Sequence, residues 1–175
     1  MRGPAQGHLI GTRRPRLVAR GARPGAWRPG TAPAPVGEDQ QDTTPGLGEP
    51  VREGKFEFTV KKIEPGGNHL GGEFGTDAQG RYLLAHMTVK NIGDRAQYFN
   101  GSDQKTIDSK SNEHSADTGA AIFLEDSRSF LNQINPGNTV EGIVVFDIPT
   151  NSRPVQMELH DSFLSSGATV RLAPR

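Results

Sequence analysis

The side chains of this 175-residue chain that could do chemistry are five histidines and twenty carboxylates, with no cysteine among them. His160 and Asp161, with any nearby serine, supply the three group types of a nucleophilic hydrolase. Adjacent residues in a strand point to opposite faces, however, and no G-x-S-x-G elbow exists to present a serine. The histidines (His8, His69, His86, His114 and His160) show no H-x-x-x-H or H-E-x-x-H spacing, and His86 and His160 read as ordinary outer-face residues. A metal site could arise only by tertiary proximity, and the candidates for it are Asp108, His114 and Asp117. Asp103, Asp108, Glu113, Asp117, Glu125 and Asp126 crowd the middle of the sequence without a D-x-D-x-D-G loop. A solvated acidic face accounts for them better than a Ca²⁺ site.

Two further motifs are ambiguous. Asn100-Gly101-Ser102 matches a glycosylation sequon, and Asn-Gly equally marks a turn. Gly66-Gly67 and Gly71-Gly72 precede a strand pattern and not a helix, so they are not a phosphate loop. The absence of cysteine excludes disulfides, thiol nucleophiles and Cys-ligated metals. No catalytic residue and no cofactor are assigned, and the chain is expected not to be an enzyme.

The elements that must position these residues are strands. Lys55–Ile63 alternates, with Phe56, Phe58 and Val60 on one face. Arg81–Lys90 places Leu83, Ala85, Met87 and Val89 together, and Thr139–Ile148 does the same with Val140, Val144, Phe146 and Ile148. Period-two patterning with one apolar face marks half-buried strands. Shorter strands are expected at Gln97–Phe99, Gln104–Asp108, Glu113–Asp117, Val155–His160 and Ala168–Leu172. A Gly-rich loop is expected over 65–80, a turn at Asn91–Asp94 and a hairpin loop over Ser109–Asn112. Between Gly119 and Asn138 the pattern is less regular. Ile122, Phe123, Leu124, Phe130, Leu131 and Ile134 are expected to be buried around a short helical turn. Seven or eight short strands with turn residues between them predict an all-β, antiparallel β-sandwich of the immunoglobulin-like kind.

The net charge of zero is a sum of two unlike pieces. Residues 1–50 carry seven Arg against four acids, +3, whereas residues 51–175 carry 13 bases against 16 acids, −3. Residues 1–50 also hold 17 of the 35 Pro and Gly. Such a segment cannot offset about 1–2 kcal/mol of ordering entropy per residue, so a disordered leader or linker is expected before a domain at 51–175. Its charge lacks the Lys clusters and aromatic interleaving of a nucleic-acid platform. The Arg13-Arg14 pair lacks the apolar segment of a twin-Arg signal, and no apolar run is long enough to span a bilayer. Arg, Gly, Pro and Ala fill 21 of the first 30 positions. All four have GC-rich codons, so a misplaced start or frame in place of an export leader is a reading that upstream DNA would test.

Four stretches carry a family resemblance: VREGKFEFTVKKIEPG (51–66), AQGRYLLAHMTVKNIGDRAQYF (78–99), SFLNQINPGNTVEGIVVFDIP (129–149) and ELHDS (158–162). Together they resemble an actinobacterial family of exported domains of unknown function. Its fold is immunoglobulin-like, and it is similar to the mycobacterial immunoprotective extracellular protein family. The resemblance spans roughly Val51 to Leu172 and implies an extracellular or cell-envelope setting, often behind a signal peptide or lipoprotein anchor. It also implies a cysteine pair between the first two long strands, whose places near Pro65 and Tyr82 hold other residues here. The expected function is a non-enzymatic binding module for a protein or cell-surface ligand, acting through loops or an exposed sheet edge. The alternative is a small-ligand or metal-binding sandwich, with hydrolysis included.

Overall fold

The structure, a computed structural model, describes residues 43–172, the side chains of residues 128 and 129 apart. His8, the Arg13-Arg14 pair and most of the expected leader lie outside the described residues. Among the described residues ten strands run in chain order: β1 (Pro50–Glu53), β2 (Phe56–Leu70), β3 (Thr76–Asn91), β4 (Gln97–Tyr98), β5 (Lys105–Asp108), β6 (Glu113–Ser115), β7 (Gln133–Ile134), β8 (Thr139–Ile148), β9 (Pro154–Leu159) and β10 (Ala168–Arg171). One sheet has the order β1-β2-β3-β8, a second β10-β9-β5-β6, and β4 and β7 form a small ribbon. Every pairing is antiparallel. The chain is an immunoglobulin-like β-sandwich, as its periodicity predicts. The strands beyond the eight expected are β1 and the two-residue β7.

The alternating residues meet between the sheets. Phe56, Phe58, Val60, Leu83, Ala85, Met87, Val89, Val144, Phe146 and Ile148 of the first sheet pack against Met157, Leu159, Val170 and Leu172. Each fully buried aliphatic or aromatic side chain contributes about 1.5–3 kcal/mol of transfer free energy. Without a disulfide, this interdigitation is what joins the layers. Phe56, Phe58, Phe99 and Phe130 extend it as a run of tilted and edge-on ring pairs, with centroids 4.7–6.3 Å apart.

The first sheet is covered on its outer face as well. Leu70, Tyr82, Leu84, Ile143 and Val145 form a second cluster, closed by Ala120 and flanked by Ala121 and Leu124. The last three residues belong to a connection made of α1 (Thr118–Ala121) and a 3-10 helix over Glu125–Leu131. A helical turn buries only one of its faces. Ala120, Ala121 and Leu124 take the sheet side, and Ile122 and Leu131 are left 55% and 65% exposed. This corrects the expectation that all large apolar residues of this stretch are buried. Phe130 and Ile134 are buried as expected, and Phe123 is exposed at the margin.

A second correction concerns residues 65–80. They are not a loop: β2 runs on to Leu70 and β3 begins at Thr76, with register shifts between Val60 and Lys62, Pro65 and Gly67, and Gly67 and His69. Glycine is what permits this. A Cβ on Gly66 would meet Tyr82 Cβ at 2.9 Å and Leu84 Cγ at 3.0 Å, so the missing side chain is where the outer cluster sits. β-Bulges absorb the extra residues, with Gly67 at a φ of 76°.

Both seams of the sandwich are stitched. On one side Arg171 N donates to Pro45 O (2.7 Å) and Gly48 N to Val60 O (2.8 Å), so residues 45–48 tie β10 to β2. On the other side the chain leaving β6 runs beside β8. Ala116 lies opposite Phe146, Asp117 N donates to Val145 O (2.7 Å), and Ser127 Oγ donates to Ile143 O (2.8 Å). The edges of β8 and β10 are therefore occupied by this chain's own groups.

Candidate functional site

Beside the stitched edge of β8 the connection does not close completely. Between Asp117 and Ser127, the two residues that bond the edge, lies a half-open cavity of about 220 Å³. Phe99, Ala116, Ala121, Phe130 and Val144 are among its lining side chains, with Ile122 and Leu131 at its mouth. Asn100, Asp117, Thr118 and Ser127 supply the polar groups. An apolar body with a few convergent polar atoms is the usual make-up of a ligand pocket.

Asp117, Asn100 and Ser127 are held by local structure. Asp117 is the N-cap of α1, its Oδ1 accepting from Ala120 N at 2.8 Å. Asn100 caps the 3-10 turn Gly101–Asp103, with Oδ1 accepting from Ser102 Oγ at 2.8 Å. Of the two readings of Asn100-Gly101-Ser102, the turn is thus present. Ser127 is buried, and its hydroxyl is committed to Ile143 O.

The three metal candidates do not come together. Asp108 and His114 meet at 3.5 Å, but Asp117 is engaged at the α1 cap. Among the described residues no group of three or more His, Asp or Glu could hold a metal ion. Asp108 is instead the clamp of the β5–β6 hairpin. Its Oδ1 accepts from Lys110 N and Asn112 N, both at 2.9 Å. Its Oδ2 accepts from Asn112 Nδ2 at 3.0 Å and Ser152 Oγ at 3.2 Å. The Asn112 side chain and then its N–H, with help from Lys110 N–H and His114, hold this carboxyl far below its usual range against the opposing effect of burial. Ser152 Oγ, Asp108 and His114 share one ring nitrogen, Nε2, so no serine–histidine–carboxylate relay passes through the ring.

His160 and Asp161 are likewise separate. Asp161 follows β9, and its Oδ2 accepts from Lys55 Nζ at 3.1 Å and Lys55 N at 3.3 Å. Burial pushes the Asp161 carboxyl up, but hydrogen bonds from Ser162 and Lys55 outweigh it and leave the pKa lowered. His160 is not the surface residue expected: its side chain is only 10% exposed. Nδ1 lies 3.2 Å from Ser165 O, and a Cβ on Gly167 would come within 2.6 Å of the ring. The ring serves as packing for the β9–β10 loop. His86, expected to be a plain surface residue, is half-buried and joins Nε2 to Glu64 Oε1 at 2.6 Å. The Glu64 carboxyl is lowered first by Lys62 and then by His86.

The pocket is the feature that sequence reasoning missed. A signal for it existed in Ile122, Phe123, Leu124, Phe130 and Leu131, too many large apolar residues for the buried side of so short a connection.

No helix among the described residues is long and apolar enough to cross a membrane. A comparison with curated proteins finds no match. Among solved structures, the yjhA protein of Bacillus subtilis is similar over 74% of this chain and 100% of its own, with 16% identity and a TM-score of 0.55. MPT63, a secreted protein of Mycobacterium tuberculosis, is similar over 75% of this chain and 96% of its own, with 14% identity and a TM-score of 0.54. An uncharacterised β-sandwich protein of Clostridium difficile covers 80% of this chain and all of its own at 17% identity, with a TM-score of 0.46. For the first two, at such identities, the likeness is one of fold. Residues 45–170, from the segment that ties β10 to β2 through to the last strand, match the family described as Domain of unknown function (DUF4352), and the chain belongs to it.

Proposed function

We propose that this chain is a non-enzymatic binding module of the extracellular space or cell envelope, and that it takes a protein or cell-surface ligand into the pocket beside β8. The observation that carries the reading is the pocket itself: an apolar cavity of about 220 Å³ with Ile122 and Leu131 more than half exposed at its mouth. Exposed apolar side chains around a concavity are a common mark of an interaction site. The stitching of β8 and β10 turns the argument away from strand addition at those edges and toward this opening. Candidate acid–base groups elsewhere are committed to structural bonds, as at Asp108 and Asp161. The extracellular setting is supported by the sequence resemblance and by the shared fold of a secreted mycobacterial protein. In this reading residues 1–50 are the leader or linker before the domain at 51–175, and the end of that segment, residues 45–48, is bonded to the domain at β10 and β2. The −3 charge of that domain argues against nucleic acid as the partner.

Affinity capture tests the reading, using the full chain beside an Ala121→Trp variant in which the indole fills the pocket. Partners held by the native chain and lost from the variant, with the fold unchanged by circular dichroism, are the expected result. Identical capture by both chains would falsify the pocket as the binding site. Recovery of the native protein only from the cytosolic fraction, from a verified start codon, would remove the extracellular setting.

A further inference from the structure

The chain that carries the pocket also carries a protrusion of matching chemistry. Between β9 and β10, Ser165 N donates to Ser162 O at 3.0 Å and closes a turn with Phe163 and Leu164 at its two central positions. Turn corners favour Gly, Pro, Asn, Asp and Ser. Here the corner is a Phe 84% exposed and a Leu 89% exposed, so both side chains cover almost nothing of their own chain. The base beneath them is firm. His160 Nδ1 lies 3.2 Å from Ser165 O, Asp161 Oδ2 accepts from Lys55 Nζ at 3.1 Å, and Asp161 N donates to Glu53 Oε2 at 2.6 Å. A turn held in this way presents its corner with little left to order on binding.

Turn and pocket are neighbours. Gln104 Nε2 donates to His160 O, at the root of the turn, at 3.0 Å, and to Asn100 O, in the pocket lining, at 2.9 Å. A dry apolar cavity of ~150 Å³ takes a benzene ring, so a half-open one of about 220 Å³ suits one Phe- or Leu-sized side chain. Ile122 and Leu131 at the mouth offer apolar surface to the second. Residues Ser162–Val170 carry no charge, so the match is one of shape and apolar surface and asks nothing of the charges around the opening.

Area decides between one contact and two. Phe163 and Leu164 would each withdraw roughly 150 Å² from water, and the pocket wall about as much again. One turn in one pocket then buries roughly 600 Å² in total, which is less than a specific interface needs. Two such contacts related by a twofold axis bury roughly 1,200 Å², the size at which specific interfaces begin. Resting on the pocket reading above, we infer that the occupant is the Phe163-Leu164 turn of a second copy of this chain, and that two copies exchange turns reciprocally in a closed dimer.

Two variants of the full chain separate the halves of this contact. Ala121→Trp fills the pocket and keeps the turn, whereas Phe163→Ser combined with Leu164→Ser keeps the pocket and removes what enters it. Sedimentation velocity of the native chain should show a concentration-dependent rise from the 18.9 kDa monomer to twice that mass and no further. Each variant alone should stay monomeric over the same range. The double serine variant should keep its Tm, because both side chains lie in solvent. Adding unlabelled Ala121→Trp chain to the ¹⁵N-labelled serine variant restores one of the two contacts, so shifts are expected at Ala116–Ile122 and Ile143–Val145. Self-association of the serine variant equal to that of the native chain overturns the inference, and so does a mixture that leaves these residues unshifted. A mass that grows past two copies overturns the reciprocal closure. A native chain that stays monomeric but pellets with phosphatidylcholine vesicles, while the serine variant remains in solution, assigns the turn to a lipid surface and overturns the second-copy occupant. A monomeric native chain leaves the pocket reading to the Ala121→Trp capture, whose partner need not be a second copy.

Discussion

Gln104 and His160 hold each other twice: Gln104 Nε2 donates to His160 O at 3.0 Å, and His160 N donates to Gln104 Oε1 at 2.9 Å. The amide of a fully buried side chain thus imitates a strand and extends the ladder past the end of β9. A second bond, from the same Nε2 to Asn100 O at 2.9 Å, ties the arrangement to the turn that borders the pocket. Gln104→Ala should cost about 3 kcal/mol in urea unfolding, because it leaves one buried donor and two carbonyls without a partner. A cost within about 0.5 kcal/mol of zero would show that water replaces the amide freely.

Asp108 makes acid the weak side of this domain. Its carboxyl titrates far below the ordinary aspartate range in the folded state, so the ionised form is favoured by folding. The contribution is fully present above about pH 4 and is lost as pH falls from there toward the lowered folded value. Asp108→Asn should flatten the acid limb of a Tm-against-pH profile while lowering Tm at pH 7. An unchanged acid limb would assign the sensitivity to other carboxylates.

His69 works in the opposite sense. Nε2 lies 2.6 Å from Gly72 O and Nδ1 2.7 Å from Asp77 Oδ1, so both ring nitrogens face acceptors and the doubly protonated ring fits best. Gly72 O is the larger cause and Asp77 the second in raising its pKa above 6.5. This clasp on the β2–β3 tip is complete below about pH 6.5 and loosens as pH rises through the raised folded value. An NMR titration should place the His69 midpoint above 6.5. Asp77→Asn should bring it down only part of the way, and a native midpoint at or below 6.5 contradicts the clasp.

Gly142 is tested by its neighbour. A Cβ there would stand 2.6–2.9 Å from ring atoms of Phe130, which also lines the pocket. Gly142→Ala should cost about 1–3 kcal/mol by overpacking, measured by denaturant unfolding, and should reshape the pocket by moving the ring. A neutral effect on both stability and ligand shifts would mean that Phe130 swings aside freely.

The sequence shows the inner faces because period-two runs such as Phe56-x-Phe58-x-Val60 admit one burial pattern. It conceals the extension of β2, because Pro65-Gly66-Gly67 reads as a breaker. Only the arrival of Tyr82 and Leu84 over Gly66 shows why a strand needs glycine there. The excess of large apolar residues over 122–131 hints at the pocket but leaves its lining open. Whether Ile122 or Leu124 turns inward depends on where the helical connection meets the outer face of β3 and β8, a tertiary fact with no local signal. His160 departs from the outer face that strand parity predicts because the strand ends one residue earlier, at Leu159.

The bond from Arg171 N to Pro45 O joins the last strand to the segment that precedes β1, 126 residues away in the chain. A ribosome or a translocation channel delivers those segments in order, so the seam along β10 cannot form until the last strand has emerged. Until then the segment at Pro45–Gly48 has no β10 to grip, and the core residues Val170 and Leu172 are missing from the second sheet. Contacts of such span are closed late and at an entropic cost. The consequence is a chain that stays open for threading throughout its synthesis, and a truncation that removes only its last strand should leave a sandwich that never shuts.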